Sequence, residues 1–117
     1  MIENIGVDII ENNRFESYLN NNRKLERILS SKEIAVLNTY TSESRQLEFI
    51  ASRFAAKEAL FKTGLKFVFN QTSILNHEDG SPYVEGDFNK KVLISISHNK
   101  TMSIATVLLV EPCFEYK

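Results

Sequence analysis

Residues 53–62 read Arg53-Phe54-Ala55-Ala56-Lys57-Glu58-Ala59-Leu60-Phe61-Lys62. Apolar side chains recur at helical spacing through and before this segment, so that one stripe contains Leu47, Ile50, Phe54 and Phe61. Glu58 falls on the same stripe, between Phe54 and Phe61. Because an isolated buried charge is costly, we expect Glu58 to be paired with a cation, bound to a metal or turned into a cleft.

The length and composition are those of one globular domain. The chain has 117 residues, of which 43% are hydrophobic and 25% are charged, and this suits a single domain over residues 1–117 with one core. No apolar run approaches the length of a membrane span, and Met1-Ile2-Glu3-Asn4 lacks the basic start of a signal peptide. We therefore expect a soluble, cytoplasmic protein.

The cysteine content and the net charge exclude several classes of function. Cys113 is the single cysteine, which excludes an intrachain disulfide and a cysteine cluster for zinc. The formal net charge is −1, whereas a general nucleic-acid-binding domain normally has a strong basic excess. We expect any functional charge to be arranged locally.

One local excess of positive charge lies between residues 14 and 32. The only acids in this stretch are Glu16 and Glu26. The bases are Arg14, Arg23, Lys24, Arg27 and Lys32. This patch is either an ordinary solvated helix face or a docking surface for an acidic partner.

The first half is predicted to form one strand followed by helices. Residues 2–10 alternate as a strand, with Asp8 at a position where an apolar residue is expected. An asparagine in Glu11-Asn12-Asn13 can cap a short helix over residues 14–19, and apolar residues within 25–29 predict further helical turns.

Two later helices carry clear start and stop signals. Ser30 and Glu33 have the spacing of a capping box, which predicts a helix from Ser31 to about Tyr40. The longest helix is predicted to begin at Thr41-Ser42-Glu43, to continue to about Lys62 and to end at Gly64.

The second half changes to the period of strands. Residues 73–76 and 82–84 flank a turn that contains Asp79-Gly80, a strong hairpin signal. Residues 91–98 and 103–110 are separated by a short polar connection and are predicted to pair as an antiparallel hairpin. The predicted fold class is α+β, with one long helix and shorter helices packed on a largely antiparallel sheet.

A histidine ends an apolar row in the first strand of the last hairpin. His98 shares a face with Val92, Ile94 and Ile96, although a lone histidine at a strand end is more often structural than functional. The chain has no glycine-rich phosphate loop, no histidine pair at zinc-ligand spacing and no nucleophile elbow. The chemistry that remains depends on carboxylates.

Two carboxylates stand against their local patterns. Asp8 on a strand and Glu58 on a helix are hard oxygen ligands, and with Lys62 and Arg53 nearby they suit Mg²⁺ that holds a phosphate. The alternative for Glu58 and Lys62, which are four residues apart on the helix, is a surface ion pair of little energetic importance.

The ordered motifs resemble those of a known family. They are Gly6-Val7-Asp8, then residues 53–59 with Lys62, the turn Asp79-Gly80-Ser81-Pro82-Tyr83, and finally Ser95-Ile96-Ser97-His98. Together they resemble the holo-[acyl-carrier-protein] synthases, small phosphopantetheinyl transferases, from Met1 to about Val110. The resemblance implies the 4′-phosphopantetheinyl transferase fold.

The resemblance also implies the residues that bind metal and coenzyme A. Asp8 and Glu58 match the acids that hold Mg²⁺, with Mn²⁺ as the alternative ion, and Lys62 matches the lysine that contacts phosphate oxygens. Arg53 and His98 match positions around the adenosine 3′-phosphate and the rest of the nucleotide. In the family, a neighbouring subunit supplies these two residues. The remaining matches are Pro82, near the adenine, and Gly64, in the loop after the lysine.

The resemblance further implies the reaction and the partners. A serine of apo-acyl carrier protein attacks the β-phosphorus of coenzyme A and releases 3′,5′-ADP, for fatty acid and lipid synthesis. Glu58 is the leading candidate for the base, directly or through a metal-bound water. Arg14 matches the position that meets the acidic helix of the carrier protein, and the same patch includes Arg23, Lys24 and Arg27. The family forms homotrimers with active sites at the subunit interfaces, and neither nucleic acid nor membrane is involved.

Two other functions use the same residues in different ways. A Mg²⁺-dependent hydrolase of a nucleotide or pyrophosphate would also use Asp8, Glu58 and Lys62. A non-catalytic module that docks an acidic helix would need only the basic patch.

One segment departs from the family pattern. Relatives continue from the lysine into a longer loop with Gly-Thr-Gly, whereas this chain continues with Thr63-Gly64-Leu65-Lys66-Phe67-Val68-Phe69. Lys66 is a candidate to replace lost phosphate contacts. The apolar run over residues 65–69 either covers the substrate arm or packs between subunits, and packing is the favoured expectation.

Overall fold

The computed structural model describes residues 1–111. Its elements in chain order are strand β1 (Ile2–Glu11), a 3₁₀ helix (Asn12–Tyr18), helices α1 (Asn22–Ile28), α2 (Ser31–Leu37) and α3 (Glu43–Lys62), a 3₁₀ turn (Phe69–Gln71), and strands β2 (Ser73–Asn76), β3 (Pro82–Glu85), β4 (Lys91–His98) and β5 (Met102–Val110). This α+β order confirms the predicted fold class. Cys113 lies outside the described residues.

The strands form two antiparallel sheets. In the larger sheet β5 lies between β1 and β4, and the smaller sheet pairs β2 with β3. Gly80 has φ 92° in the β2–β3 turn, a conformation that glycine adopts without strain. Both predicted hairpins are therefore confirmed.

The two faces of the larger sheet differ in exposure because strand side chains alternate. Ala105, Val107 and Leu109 of β5 are buried on the side that packs against α3. On the opposite side, called the outer face below, β1 exposes Ile5, Val7 and Ile9 by 60%, 49% and 60%. The exposed outer face also includes Leu93 and Ile104.

β1 packs against α3 through an unusually close backbone approach at Gly6. A Cβ at this position would lie 1.8 Å from the Ala59 carbonyl oxygen, so any larger residue would push the strand off the helix. Asn4 Nδ2 donates to the Thr63 carbonyl at 3.0 Å. Asn4 meets Thr63 and Gly6 meets Ala59, so β1 runs along α3 toward the earlier turns of the helix.

α3 begins and ends at the predicted signals. Ser42 caps its N-terminus by accepting from the Arg45 N–H at 3.2 Å. Gly64 follows the C-terminal turn with φ 87°, as expected for a residue that terminates a helix. Within residues 1–111, no helix combines the length and apolar character needed to cross a membrane.

The buried side of α3 differs from the predicted stripe. Phe61 is 64% exposed and Glu58 is only partly buried, so the prediction that placed both on the buried side is wrong. The fully buried positions include Ala55, Ala56 and Ala59, whose small side chains permit the close approach of the sheet. A prediction based on large apolar residues alone therefore misplaces the buried face of α3.

The buried charges of α3 are cations rather than the predicted carboxylate. Arg53 is 6% exposed and Lys57 is 0% exposed. Both residues need partners inside the protein, because a buried charge without one is strongly unfavourable.

The capping predictions for the shorter helices have mixed outcomes. Asn12 does not cap the first 3₁₀ helix; it is buried, donates from Nδ2 to the Asn99 carbonyl at 2.6 Å and accepts from Ser103 Oγ at 2.7 Å. The capping box of Ser30 and Glu33 is confirmed by reciprocal hydrogen bonds of 3.2 and 2.9 Å. α2 ends at Leu37 rather than at about Tyr40.

Candidate functional site

Asp8 lies on the helix-facing side of β1 and is in contact with the end of α3. Lys62 Nζ is 3.3 Å from Asp8 Oδ1 and donates to the Val7 carbonyl at 2.9 Å. The Asp8 side chain is 19% exposed and that of Lys62 is 52% exposed. The pair is therefore accessible to a ligand from solvent, as a site for phosphate and metal must be.

Glu58 lies on α3 one turn before Lys62, and its side chain is partly open to solvent. Within residues 1–111, no lysine, arginine or histidine forms an ion pair with Glu58; the ion pair of Lys62 is with Asp8. The predicted alternative of a Glu58–Lys62 surface pair is therefore wrong. Glu58 retains both carboxylate oxygens for a ligand.

The donor set of Asp8 and Glu58 fits Mg²⁺. Among residues 1–111, no group of three or more histidine, cysteine, aspartate or glutamate side chains is arranged to hold a metal ion. Mg²⁺ usually takes only one or two carboxylates and completes its shell with waters and substrate phosphates. Asp8, which is 19% exposed and lies beside Lys62, and the partly exposed Glu58 are thus chemically suited to Mg²⁺ and a phosphate.

A second site lies at a different part of α3. A cavity of about 190 Å³ is bounded by α3, by the loop before it, by β2 and by the end of β4. Its lining residues are Tyr40, Arg45, Glu48, Phe49, Ser52, Arg53, Asn76 and His98. Asp8, Glu58 and Lys62 are not among them. The predicted pair Arg53 and His98 is brought together in this cavity, apart from the two carboxylates.

Arg53 is fixed in place by several protein groups. Its Nε donates to the Ile74 carbonyl at 3.1 Å, and its two terminal nitrogens donate to Ser52 Oγ and Asn76 Oδ1. The guanidinium also lies over the Phe49 ring, 4.2 Å from the centroid. Burial lowers the pKa of Arg53, although Glu33 and Tyr40 oppose the shift. The remaining N–H groups are pre-oriented for an anion in the cavity.

His98 contacts a carboxylate that the sequence did not single out. Its Nδ1 lies 2.7 Å from Glu48 Oε1. Arg45, another residue not predicted from the sequence, lines the same cavity with its guanidinium 5.0 Å from the Tyr40 ring centroid. Helical spacing was the sequence signal that could have identified both residues. Positions 45, 48, 49, 52 and 53 recur at three- and four-residue steps on one side of α3.

A third cluster of charge is completely buried. Lys57 Nζ donates to Glu33 Oε1 at 2.5 Å, to the Ile28 carbonyl at 2.8 Å and to the Phe69 carbonyl at 2.7 Å. Glu33 Oε2 accepts from the Ile74 N–H at 2.8 Å. Burial lowers the pKa of Lys57, and Glu33 opposes the shift. The cluster joins α3 to the segments before α2 and around β2.

The remaining predicted residues lie apart from these clusters. Gly64 is exposed just after α3, and Pro82 begins β3 in a half-buried position. In the basic patch, Lys24 donates to Ser17 Oγ at 2.9 Å, whereas Arg14 extends over Phe54 with its guanidinium 5.7 Å from the ring centroid. Arg23 and Arg27 are exposed on α1.

The shortened loop after α3 is partly packed. Phe67 and Phe69 stack with ring centroids 5.2 Å apart, and Phe69 also meets Phe54 at 5.9 Å. Val68 is 53% exposed. The two phenylalanines pack within the chain itself, and the expected contact of this run with the substrate arm or with another subunit stays a prediction.

Comparisons with known proteins agree on one family. Residues 4–107 match the model of the 4′-phosphopantetheinyl transferase superfamily. The chain is 41% identical over 116 residues to holo-[acyl-carrier-protein] synthase of Oceanobacillus iheyensis, which covers 93% of this chain and 97% of the relative. It is 39% identical over 120 residues to the enzyme of that name from Staphylococcus aureus strain Newman, with 97% and 100% covered.

Solved structures have the same fold. Holo-(acyl-carrier-protein) synthase from Bacillus anthracis str. Ames, in complex with CoA (3′,5′-ADP), matches with a TM-score of 0.86 and 38% identity, covering 96% of this chain and 99% of that one. The enzyme from Helicobacter pylori, in complex with coenzyme A, matches with a TM-score of 0.73 and 28% identity, covering 90% and 98%.

Proposed function

The chain belongs to the holo-[acyl-carrier-protein] synthases of the 4′-phosphopantetheinyl transferase superfamily, and on this basis we propose how it performs the reaction. The proposed reaction transfers 4′-phosphopantetheine from coenzyme A to a serine of apo-acyl carrier protein, depends on Mg²⁺ and releases 3′,5′-ADP. One domain over residues 1–117 carries it. The observation that supports it most is the Asp8–Lys62 pair beside the close β1–α3 contact, with Glu58 one helical turn before Lys62. These three residues are called the open cluster below.

The open cluster is proposed to hold the pyrophosphate of coenzyme A. Asp8 and Glu58 hold Mg²⁺, or Mn²⁺ in its place, and the ion supplies countercharge to the phosphate oxygens when bound. Lys62 now donates to Asp8 and the Val7 carbonyl. Its half-exposed ammonium turns toward phosphate oxygens and neutralises charge that develops on the leaving group.

The chemical step needs one proton transfer. The serine oxygen of the carrier protein forms a bond to the β-phosphorus while the bond from that phosphorus to the bridging oxygen breaks. The bonding electrons leave with 3′,5′-ADP, and Glu58 accepts the serine proton, directly or through water. A carboxylate without a protein partner among residues 1–111 is suited to this role.

The cavity beside Arg53 is proposed to hold the adenosine 3′-phosphate. Arg53 and His98 supply donors, as the family resemblance implies, and Arg45 adds a second guanidinium on the same wall. Pro82 is assigned to the adenine and Gly64 to the loop contact after Lys62. The coenzyme A complexes of the Bacillus anthracis and Helicobacter pylori relatives support a coenzyme A site in this fold.

The basic patch is proposed to dock the carrier protein. Arg14 lies beside Phe15 and Phe54, so a charged donor is set next to aromatic surface. Arg23, Lys24 and Arg27 extend the positive surface along α1. An acidic helix is the complementary partner.

A homotrimer is proposed as the active form. Arg53 and Glu58 are five residues apart on α3 and therefore point about 140° apart around its axis, so the cavity and the open cluster do not form one site within a chain. The outer face, with Ile5, Val7 and Ile9 exposed, offers an apolar surface for a second copy. An active monomer in sedimentation would contradict this assembly. The cytoplasmic location and the role in fatty acid synthesis stay predictions.

The decisive experiment is mass spectrometry of apo-acyl carrier protein after incubation with coenzyme A and Mg²⁺. We expect a mass gain of one phosphopantetheine, which Asp8→Ala abolishes and the exposed control Asp87→Ala retains. Free phosphopantetheine without carrier modification would instead indicate a hydrolase. Carrier binding with no reaction under any condition would indicate a docking module.

A further inference from the structure

The cation-rich cavity contains one carboxylate, and that carboxylate is joined to His98. Glu48 Oε1 lies 2.7 Å from His98 Nδ1, and the two side chains are 12% and 37% exposed. The other charged groups that line the cavity are Arg45 and Arg53. Within residues 1–111, neither arginine forms an ion pair with Glu48; its ion pair is with the histidine.

A carboxylate in an anion site opposes anion binding unless it serves another group. The negative charge of Glu48 would repel a phosphate in the same cavity. Its low exposure and its contact with a ring nitrogen indicate that it is used to hold the ring instead. Glu48 and His98 come from different elements, α3 and the end of β4, so the contact also fixes the end of the strand relative to the helix.

The contact determines which ring nitrogen meets a ligand. With Nδ1 occupied by Glu48, Nε2 is the nitrogen left for a substrate. A phosphate oxygen needs a donor, and a ring protonated on both nitrogens donates from Nδ1 to Glu48 and from Nε2 to the phosphate. Without the carboxylate, the ring is free to turn and to present either nitrogen.

We propose that Glu48 is a positioning residue that acts through His98 to orient its Nε2 toward the 3′-phosphate of coenzyme A. This inference rests on the proposed function of the cavity and adds a residue and a role to it. Glu48 lines a cavity that does not include Asp8, Glu58 or Lys62, so we expect it to act on recognition of the nucleotide and to leave the chemical step unchanged.

The test compares coenzyme A with 3′-dephospho-coenzyme A as substrates. For Glu48→Leu we expect KM for coenzyme A to rise about tenfold, as for loss of one charge-assisted hydrogen bond, with kcat little changed. KM for the dephospho substrate stays at the wild-type value. Glu48→Gln still accepts from Nδ1 and should recover most of the loss. The control is Glu43→Gln, an exposed acid at the start of the same helix.

A double-mutant cycle separates a positioning role from a general structural one. In a His98→Ala background, Glu48→Leu should raise KM for coenzyme A by less than about twofold, because the residue has lost the group it positions. An additive effect of the two substitutions would overturn the proposal.

The failure of the inference is distinguishable from the failure of the proposed function. A wild-type enzyme that uses both substrates equally well would refute the 3′-phosphate site, and the role of Glu48 with it. A wild-type enzyme that prefers coenzyme A, together with a Glu48→Leu variant impaired equally on both substrates, would refute the role of Glu48 alone. If Glu48→Leu fails to fold, Glu48→Ala takes its place, and its KM must rise for coenzyme A and stay at the wild-type value for the dephospho substrate.

Discussion

Lys57 and Glu58 are adjacent on α3 but belong to clusters of opposite character. Lys57 is completely buried, and its ammonium is surrounded by Glu33 and by the carbonyls of Ile28 and Phe69. Glu58 is partly open to solvent and, within residues 1–111, has no cationic partner. The cluster around Lys57, called the closed cluster below, has its charges satisfied by protein groups. The open cluster, which includes Glu58, keeps oxygen atoms that can bind a ligand.

The difference separates structural charge from functional charge. Glu33 in the closed cluster accepts from Lys57, from the Ser30 N–H and from the Ile74 N–H, so an added ligand would find few free lone pairs. Within residues 1–111, the ion pairing of the open cluster is limited to the long contact between Lys62 and Asp8, at 3.3 Å, and Lys62 also donates to the Val7 carbonyl. Polar groups that are left incompletely paired at the surface are those on which a metal and a phosphate can act.

Breaking the closed cluster should have the largest effect on stability. Lys57→Met leaves Glu33 buried without its cation, and removal of one member of a buried pair costs about 3–5 kcal/mol of unfolding free energy. Chemical denaturation measures the loss. The matched control is Lys57→Met combined with Glu33→Leu, which removes both charges and should recover part of the stability. A single variant as stable as the wild type would show that the pair is not structural.

Changing the open cluster should instead affect activity and leave stability intact. Glu58→Gln keeps the shape of the side chain but removes the proposed metal ligand and the proposed base, so we expect turnover to fall by about a hundredfold or more. The denaturation midpoint should stay near that of the wild type because the carboxylate has no partner to lose. Steady-state kinetics at saturating Mg²⁺ measures this, with Glu43→Gln as the control. Near-normal turnover would show that Glu58 is neither a metal ligand nor the base.

The contrast between these neighbours was only partly accessible from the sequence. Local signals placed the elements: Ser30 with Glu33, Ser42 and Gly64 bound the helices as predicted, and Asp79-Gly80 marks the hairpin. The residues of the open cluster were found because Asp8 and Glu58 break their local patterns, and family resemblance gave them a common role.

The buried cluster was missed because helical periodicity does not weigh alanine or long cations. β1 contacts the Ala59 carbonyl only because Gly6 and the alanines of α3 have small side chains. The buried side of α3 is therefore rotated away from Phe61. Lys57 then points inward and meets Glu33, a residue for which the sequence indicated only a capping role. Its second oxygen, which accepts from Ile74, depends on a strand that lies far along the chain.

The pH dependence of stability provides the smallest and most specific test of the closed cluster. Burial lowers the pKa of Lys57 below the ordinary lysine value of 10.5, although Glu33 opposes the shift. Over the window between the folded pKa and 10.5, the unfolded chain binds a proton that the folded chain has lost, so the unfolding free energy rises with pH by at most about 1.4 kcal/mol per unit. In the double variant Lys57→Met/Glu33→Leu, this rise of the unfolding free energy with pH should be absent. Denaturation midpoints measured at several alkaline pH values give the difference, and the same slope in both proteins would assign it to other groups.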